Sequence, residues 1–211
     1  MPLPGIPVVG RKFVERGKYG DFSVMVKMPQ HKKTLFVIME NFIDSIRDDV
    51  SNGGGTACIR KMCVQHLSDS EIAKGVAPRA VGIPTGWSIE TEGFPHMDRL
   101  HIKRAIDLSI ERMIIVLHTY DYDNIIFSAD SDPNLIGTGI FKESIGQDVV
   151  QYISDKLNSL SSSIPDTRLT LDTIREQEYK LLAYALSVDG NARRDAEISV
   201  PFSRWPLQLG D

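Results

Sequence analysis

Two cysteines, Cys58 and Cys63, are all that the chain holds. A disulfide-stapled scaffold is thereby excluded. The Cys-x4-Cys-x2-His run that ends at His66 has no fourth ligand at zinc-like spacing, so no metal is assigned and both thiols are expected to be unbridged. Such usage suits a reducing compartment, and a cytoplasmic location is expected. No run approaches the roughly 18 apolar residues of a membrane span. The opening MPLPGIPVVGRKF lacks the charged segment and apolar stretch of a signal peptide. Basic charge is not in excess, since 24 Lys and Arg face 28 Asp and Glu for a net −4. No extended nucleic acid is therefore expected as a partner, and the lack of a spanning run means that no membrane is expected either. Three catalytic or nucleotide fingerprints are also missing: G-x-x-x-x-G-K-[ST], a G-x-G-x-x-G after a strand, and a G-x-S-x-G elbow.

What is present suits one globular core. The 211 residues are 42% hydrophobic and 25% charged, ordinary values for such a domain. Residues 1–17, rich in Pro, Gly and basic residues, read as an extended arm. In DFSVMVKM, Phe22, Val24, Val26 and Met28 alternate, which predicts a strand over 21–28. The apolar run Leu35–Met39 also reads as a strand, in a hairpin with the first, although Leu35, Ile38, Met39, Phe42 and Ile46 share a helical face. A strand is expected at 78–84 and another at 124–128. Ile102, Ile106, Ile110, Met113 and Leu117 recur at helical spacing and predict a helix over 97–118. Val149, Val150, Ile153 and Leu157 mark a second over 146–160. A last helix follows Thr170 or Asp172 as N-cap, with Gly190 as its stop. Alternating strands and helices argue for an α/β fold. The expectation is a single-domain sandwich with a mixed, partly parallel sheet and flanking helices. Its parts are the arm at 1–17, the α/β core at 18–160, and a C-terminal helix with a packing tail at 161–211.

Three glycine-containing segments carry the functional signal. They are Asn52-Gly53-Gly54-Gly55-Thr56, Gly82-Ile83-Pro84-Thr85-Gly86 and Gly137-Thr138-Gly139-Ile140-Phe141. At least two lie between an apolar strand-like run and a polar or helical stretch. In α/β folds ligands bind beyond the carboxyl ends of strands, where glycine lets backbone N–H groups approach an anion. Arg60 follows the first segment and can meet such an anion, and Asp130 precedes the third. The plainer reading is that each segment is a turn. Asp121, Asp123, Asp130 and Asp132 crowd one short strand, as a cation site or as acidic turn residues.

IGTGIF at residues 136–141, followed by a helical pattern, resembles the second substrate loop of macrodomains, the ADP-ribose-binding α/β family. There a similar turn wraps the distal phosphate and ribose. NGGGTACI at residues 52–59 is similar to that family's earlier glycine-rich loop, and the order of the two agrees. The family's Asn-Ala-Ala-Asn run is absent, leaving Asn52. Ser128-Ala129-Asp130 and an insertion stand where the family runs directly from strand to loop.

Two functions follow as expectations. The first is binding of a phosphate-bearing small molecule, nucleotide or ADP-ribose-like, through Asn52, Gly53, Gly54, Gly55, Thr56, Arg60, Thr85, Gly86, Asp130, Gly137, Thr138, Gly139, Ile140 and Phe141. Hydrolysis would need a water activated beside Asp130 or Asn52. The chain names no catalytic base and no cofactor. The second is a non-enzymatic assembly protein, a homo-oligomer or larger assembly joined through residues 1–17 and 198–211. Val200, Phe202, Trp205 and Leu207 make that tail too apolar for free solvation.

Overall fold

A computed structural model describes residues 1–46, 55–59, 77–87, 93–137 and 145–192. Its centre is a four-stranded, wholly parallel sheet. The strands are β2 (Val8–Lys12), β3 (Thr34–Asn41), β4 (Ala80–Gly86) and β5 (Asn124–Ala129), in the spatial order β2-β5-β3-β4. The antiparallel part is a two-residue clasp, β1 (Leu3–Pro4) against β6 (Ser163–Ile164). The expected single-domain α/β architecture therefore holds.

The central strands are apolar on both faces because both faces are covered. Leu35, Val37, Val81, Ile83, Ile125 and Phe127 belong to the larger core, with the buried faces of three helices. These are α3 (Arg99–Thr119), α4 (Gln147–Ser159) and α5 (Leu171–Val188). Phe36, Ile38, Ala80 and Ile126 point the other way, into a smaller core. There they meet the short helix α1 (Phe22–Met25) and a 3-10 turn at Gly55–Cys58. A further short helix, α2 (Phe42–Ser45), leaves the end of β3.

Three expectations are corrected. Residues 21–28 form α1 and not a strand, so the hairpin with β3 does not exist. Asp21 decides this, because its carboxylate accepts from the Ser23 N–H and caps the helix. Phe22, Met25 and Val26 then bury together at i, i+3 and i+4. Residues 1–12 are extended as expected, but residues 15–17 turn, and the segment is not a free arm. Val8–Lys12 pairs along its length with Ile125–Ala129, and Leu3 and Pro4 form the clasp. Asp189, not Gly190, closes α5, while Thr170 is the N-cap, accepting from the Thr173 N–H.

Candidate functional site

All four strands of the main sheet run the same way, so their C-terminal ends share one edge. Asn41, Gly86 and Ala129 end three neighbouring strands there. The described parts of the three glycine segments attach to this edge. Thr56 accepts a hydrogen bond from the Met39 N–H of β3 at 3.3 Å. Thr85 donates to the Glu40 carbonyl of β3 at 3.5 Å. The Gly137 N–H donates to the Ser128 carbonyl of β5 at 2.8 Å.

The glycines themselves have structural reasons. A Cβ on Gly82 would run into the Glu40 carboxylate, which lies across it from the neighbouring strand. A Cβ on Gly86 would sit 3.3 Å from the Gly93 carbonyl oxygen and 3.8 Å from Asn41 Oδ1. A Cβ on Gly137 would meet the Ala129 carbonyl carbon at 2.9 Å and the Asp130 nitrogen at 3.0 Å. At Gly82 glycine leaves room for a side chain, and at Gly86 and Gly137 it permits backbone to approach backbone. The Gly137 amide, already spent on Ser128, is not an anion donor.

The second segment is not a loop. Gly82 to Gly86 lie inside β4, and Thr85 and Gly86 are buried. Pro84 is accommodated because β4 is an edge strand whose pairing with β3 shifts just there, between Glu40 and Asn41. The third segment shows no regular strand before it, only the single bridge Ala129–Ile136. Gly55 and Thr56 open the 3-10 turn. Asn52, Gly53, Gly54, Arg60, Thr138, Gly139, Ile140 and Phe141 lie outside the described residues, as do Cys63, His66 and residues 198–211.

Two polar residues at this edge, Glu40 and Asn41, escaped the sequence reading. Glu40 and Asn41 end β3, half-buried, and Asn41 donates to Asp44 at 3.0 Å. The signal was present in a long apolar run that closes on two polar residues. His96 is buried, with Nδ1 2.8 Å from Asp189 Oδ2. That pair joins the segment before α3 to the end of α5, positions 93 residues apart. The Asn191 N–H and then His96 hold the Asp189 carboxyl below the usual range. Trp87 is buried, stacked on Phe42 at 5.7 Å and edge-on to His96 at 5.2 Å, so it is a core ring. Cys58 is a free thiol whose pKa is pushed up by burial and by Asp21, which argues against a reactive nucleophile. Among the described residues no three His, Cys, Asp or Glu side chains converge to hold a metal.

Comparison with known protein families, characterised proteins and solved structures returns no match to the chain.

Proposed function

We propose that the chain binds a phosphate-bearing small molecule at the C-terminal edge of its parallel sheet. The supporting observation is convergence. Thr56 and Gly137, distant in sequence, attach to the ends of β3 and β5, and Thr85 and Gly86 themselves end the adjacent β4, the usual ligand position of an open α/β sheet. The order of two of the glycine segments, and the IGTGIF run, add the resemblance to ADP-ribose binders. Glu40, Asn41 and Asp130 provide the polar groups there, and the donors to the anion belong to residues 52–54 and 138–141. The setting is cytoplasmic under this reading.

A thermal-shift screen against ADP-ribose, nucleoside phosphates and sugar phosphates tests it. A ligand at about 100 times its dissociation constant stabilises by roughly 2.7 kcal/mol, a rise of about 5–11 °C for a chain of this size. Gly139→Val should then abolish calorimetric binding with the circular dichroism spectrum intact, and Thr138→Ala should weaken it by about 0.5–3 kcal/mol. No shift with any ligand class sinks the proposal.

The filled space around Gly82, Gly86 and Gly137 favours the second reading, an assembly protein in which these glycines serve packing alone. β2 is an edge of the sheet and can accept another strand. Light scattering decides this: a monomeric mass across a wide concentration range excludes it.

A further inference from the structure

Residues 11–33 hold seven of the chain's 24 basic residues and only two of its 28 acidic ones. The remainder carries seventeen basic against twenty-six acidic, so charge is segregated within an acidic chain. All seven basic residues, Arg11, Lys12, Arg16, Lys18, Lys27, Lys32 and Lys33, are exposed. Of the two acids, Asp21 is buried and committed to the Gly17 and Ser23 N–H groups. Lys33 pairs with Asp121 at 2.5 Å, whereas Lys12, Lys18, Lys27 and Lys32 pair with no carboxylate among the described residues.

An apolar tip sits in this basic field. Phe13, Val14 and Tyr19 are 51%, 75% and 47% exposed, respectively. They ride on a loop with a defined shape. Gly17 and Gly20 hold φ of 81° and 104°, and a Cβ on Gly20 would lie 2.5 Å from the Lys12 carbonyl oxygen, so the loop closes on its own base. Within it the Lys18 N–H donates to Glu15 and the Asp21 N–H to Lys18. A shaped loop that presents adjacent Phe and Val ahead of unpaired lysines matches an anionic bilayer. The apolar tip enters the headgroup layer and the lysines meet its phosphates. Single-stranded nucleic acid fits less well. Bases stack on ring faces, Val14 has none, and the Arg11 guanidinium already stands 5.8 Å from the Tyr19 ring centre.

We infer that residues 11–19 dock the protein reversibly on an anionic lipid surface. The inference is independent of the ligand proposal. It revises the expectation of no membrane partner, which rested on the lack of a spanning helix.

Co-sedimentation of the full chain with phosphatidylcholine vesicles, with and without phosphatidylserine, tests it. Anionic vesicles should bind at least about tenfold more tightly, and the advantage should fall as salt rises. Phe13→Ser with Val14→Ser, and separately Lys12→Glu with Lys18→Glu, should each weaken binding about tenfold or more. All four side chains are exposed, so melting temperatures should match the parent. Equal binding to neutral and anionic vesicles, or parental binding by the charge-reversed variant, overturns the inference. So does a single-stranded oligonucleotide that binds where vesicles do not, which would make the basic face a nucleic-acid surface.

Discussion

Gly137 and Gly190 separate two uses of glycine. At Gly137 a methyl group would press on the backbone of Ala129 and Asp130, atoms that cannot rotate away. Gly137→Ala should cost about 1–3 kcal/mol in denaturant unfolding, as overpacking does. Gly190 has an ordinary φ and nothing within 4 Å of its would-be Cβ. Gly190→Ala should be neutral or stabilise by up to about 1 kcal/mol, because it narrows the unfolded ensemble. His31 offers a pH test at the same scale. Its ring is buried between the Tyr19 hydroxyl at 3.4 Å and the Thr34 hydroxyl at 3.3 Å. Burial, then the charges of Arg11 and Arg79, hold its pKa below 6.5. The unfolded chain therefore takes up the proton first. Stability from this site is full above about pH 6.5 and falls as pH drops below it. Urea midpoints across pH 5–7.5 should decline toward acid, and His31→Gln should reduce the slope there.

Elements are held by pairings that no single segment announces. Arg112 of α3 and Glu178 of α5 form a buried ion pair at 2.9 Å. Arg112→Met should cost about 3–5 kcal/mol, because it removes the positive charge that faces the buried Glu178 carboxylate. Adding Glu178→Leu should restore part of that loss, and a parental midpoint for Arg112→Met alone would refute the pairing's importance. The helix α1 shows why local pattern misleads in a short segment. Phe22, Val24, Val26 and Met28 satisfy a two-residue period. Phe22, Met25 and Val26 equally satisfy a helical one, and the Asp21 cap with the turn before it selects the helix. The 21-residue α3 had no such ambiguity, since five apolar residues at helical spacing outweigh any chance pattern.

For the molecule as a whole, the N-terminus is a structural closure. The Ile6 N–H donates to the Leu160 carbonyl at 3.1 Å, Ile6 is buried, and the Met1 amino group lies 2.8 Å from Asp166. Deleting residues 1–6 removes the clasp and the burial of Ile6. That burial is worth about 1.5–3 kcal/mol, so the melting temperature should fall by about 3–12 °C. An unchanged melting temperature would show that the clasp contributes nothing. Of the candidate site, Thr56, Thr85 and Gly137 were legible as parts of glycine segments near strand ends. The polar residues beside them were not, because Glu40 meets Gly82, and His96 meets Asp189, only after distant strands and helices are brought together.

The sequence by itself determined the elements with clear local patterns. β3, β4 and β5 stand where short apolar runs put them, α3 and α4 where apolar periodicity does, and α5 where its N-cap does. It also determined the α/β class, because strands and helices alternate. Tertiary structure alone decided the strand order β2-β5-β3-β4 and the capture of residues 8–12 by β5, more than a hundred residues away. A strand's own residues specify which side chains want burial, but its neighbour supplies the hydrogen bonds, and that neighbour is not encoded locally. The same limit applies to Gly82 and Gly137. Their side-chain space is filled by the Glu40 carboxylate of the neighbouring strand and by the Ala129–Asp130 backbone on which the chain folds back, so the reason for glycine exists only in the folded chain.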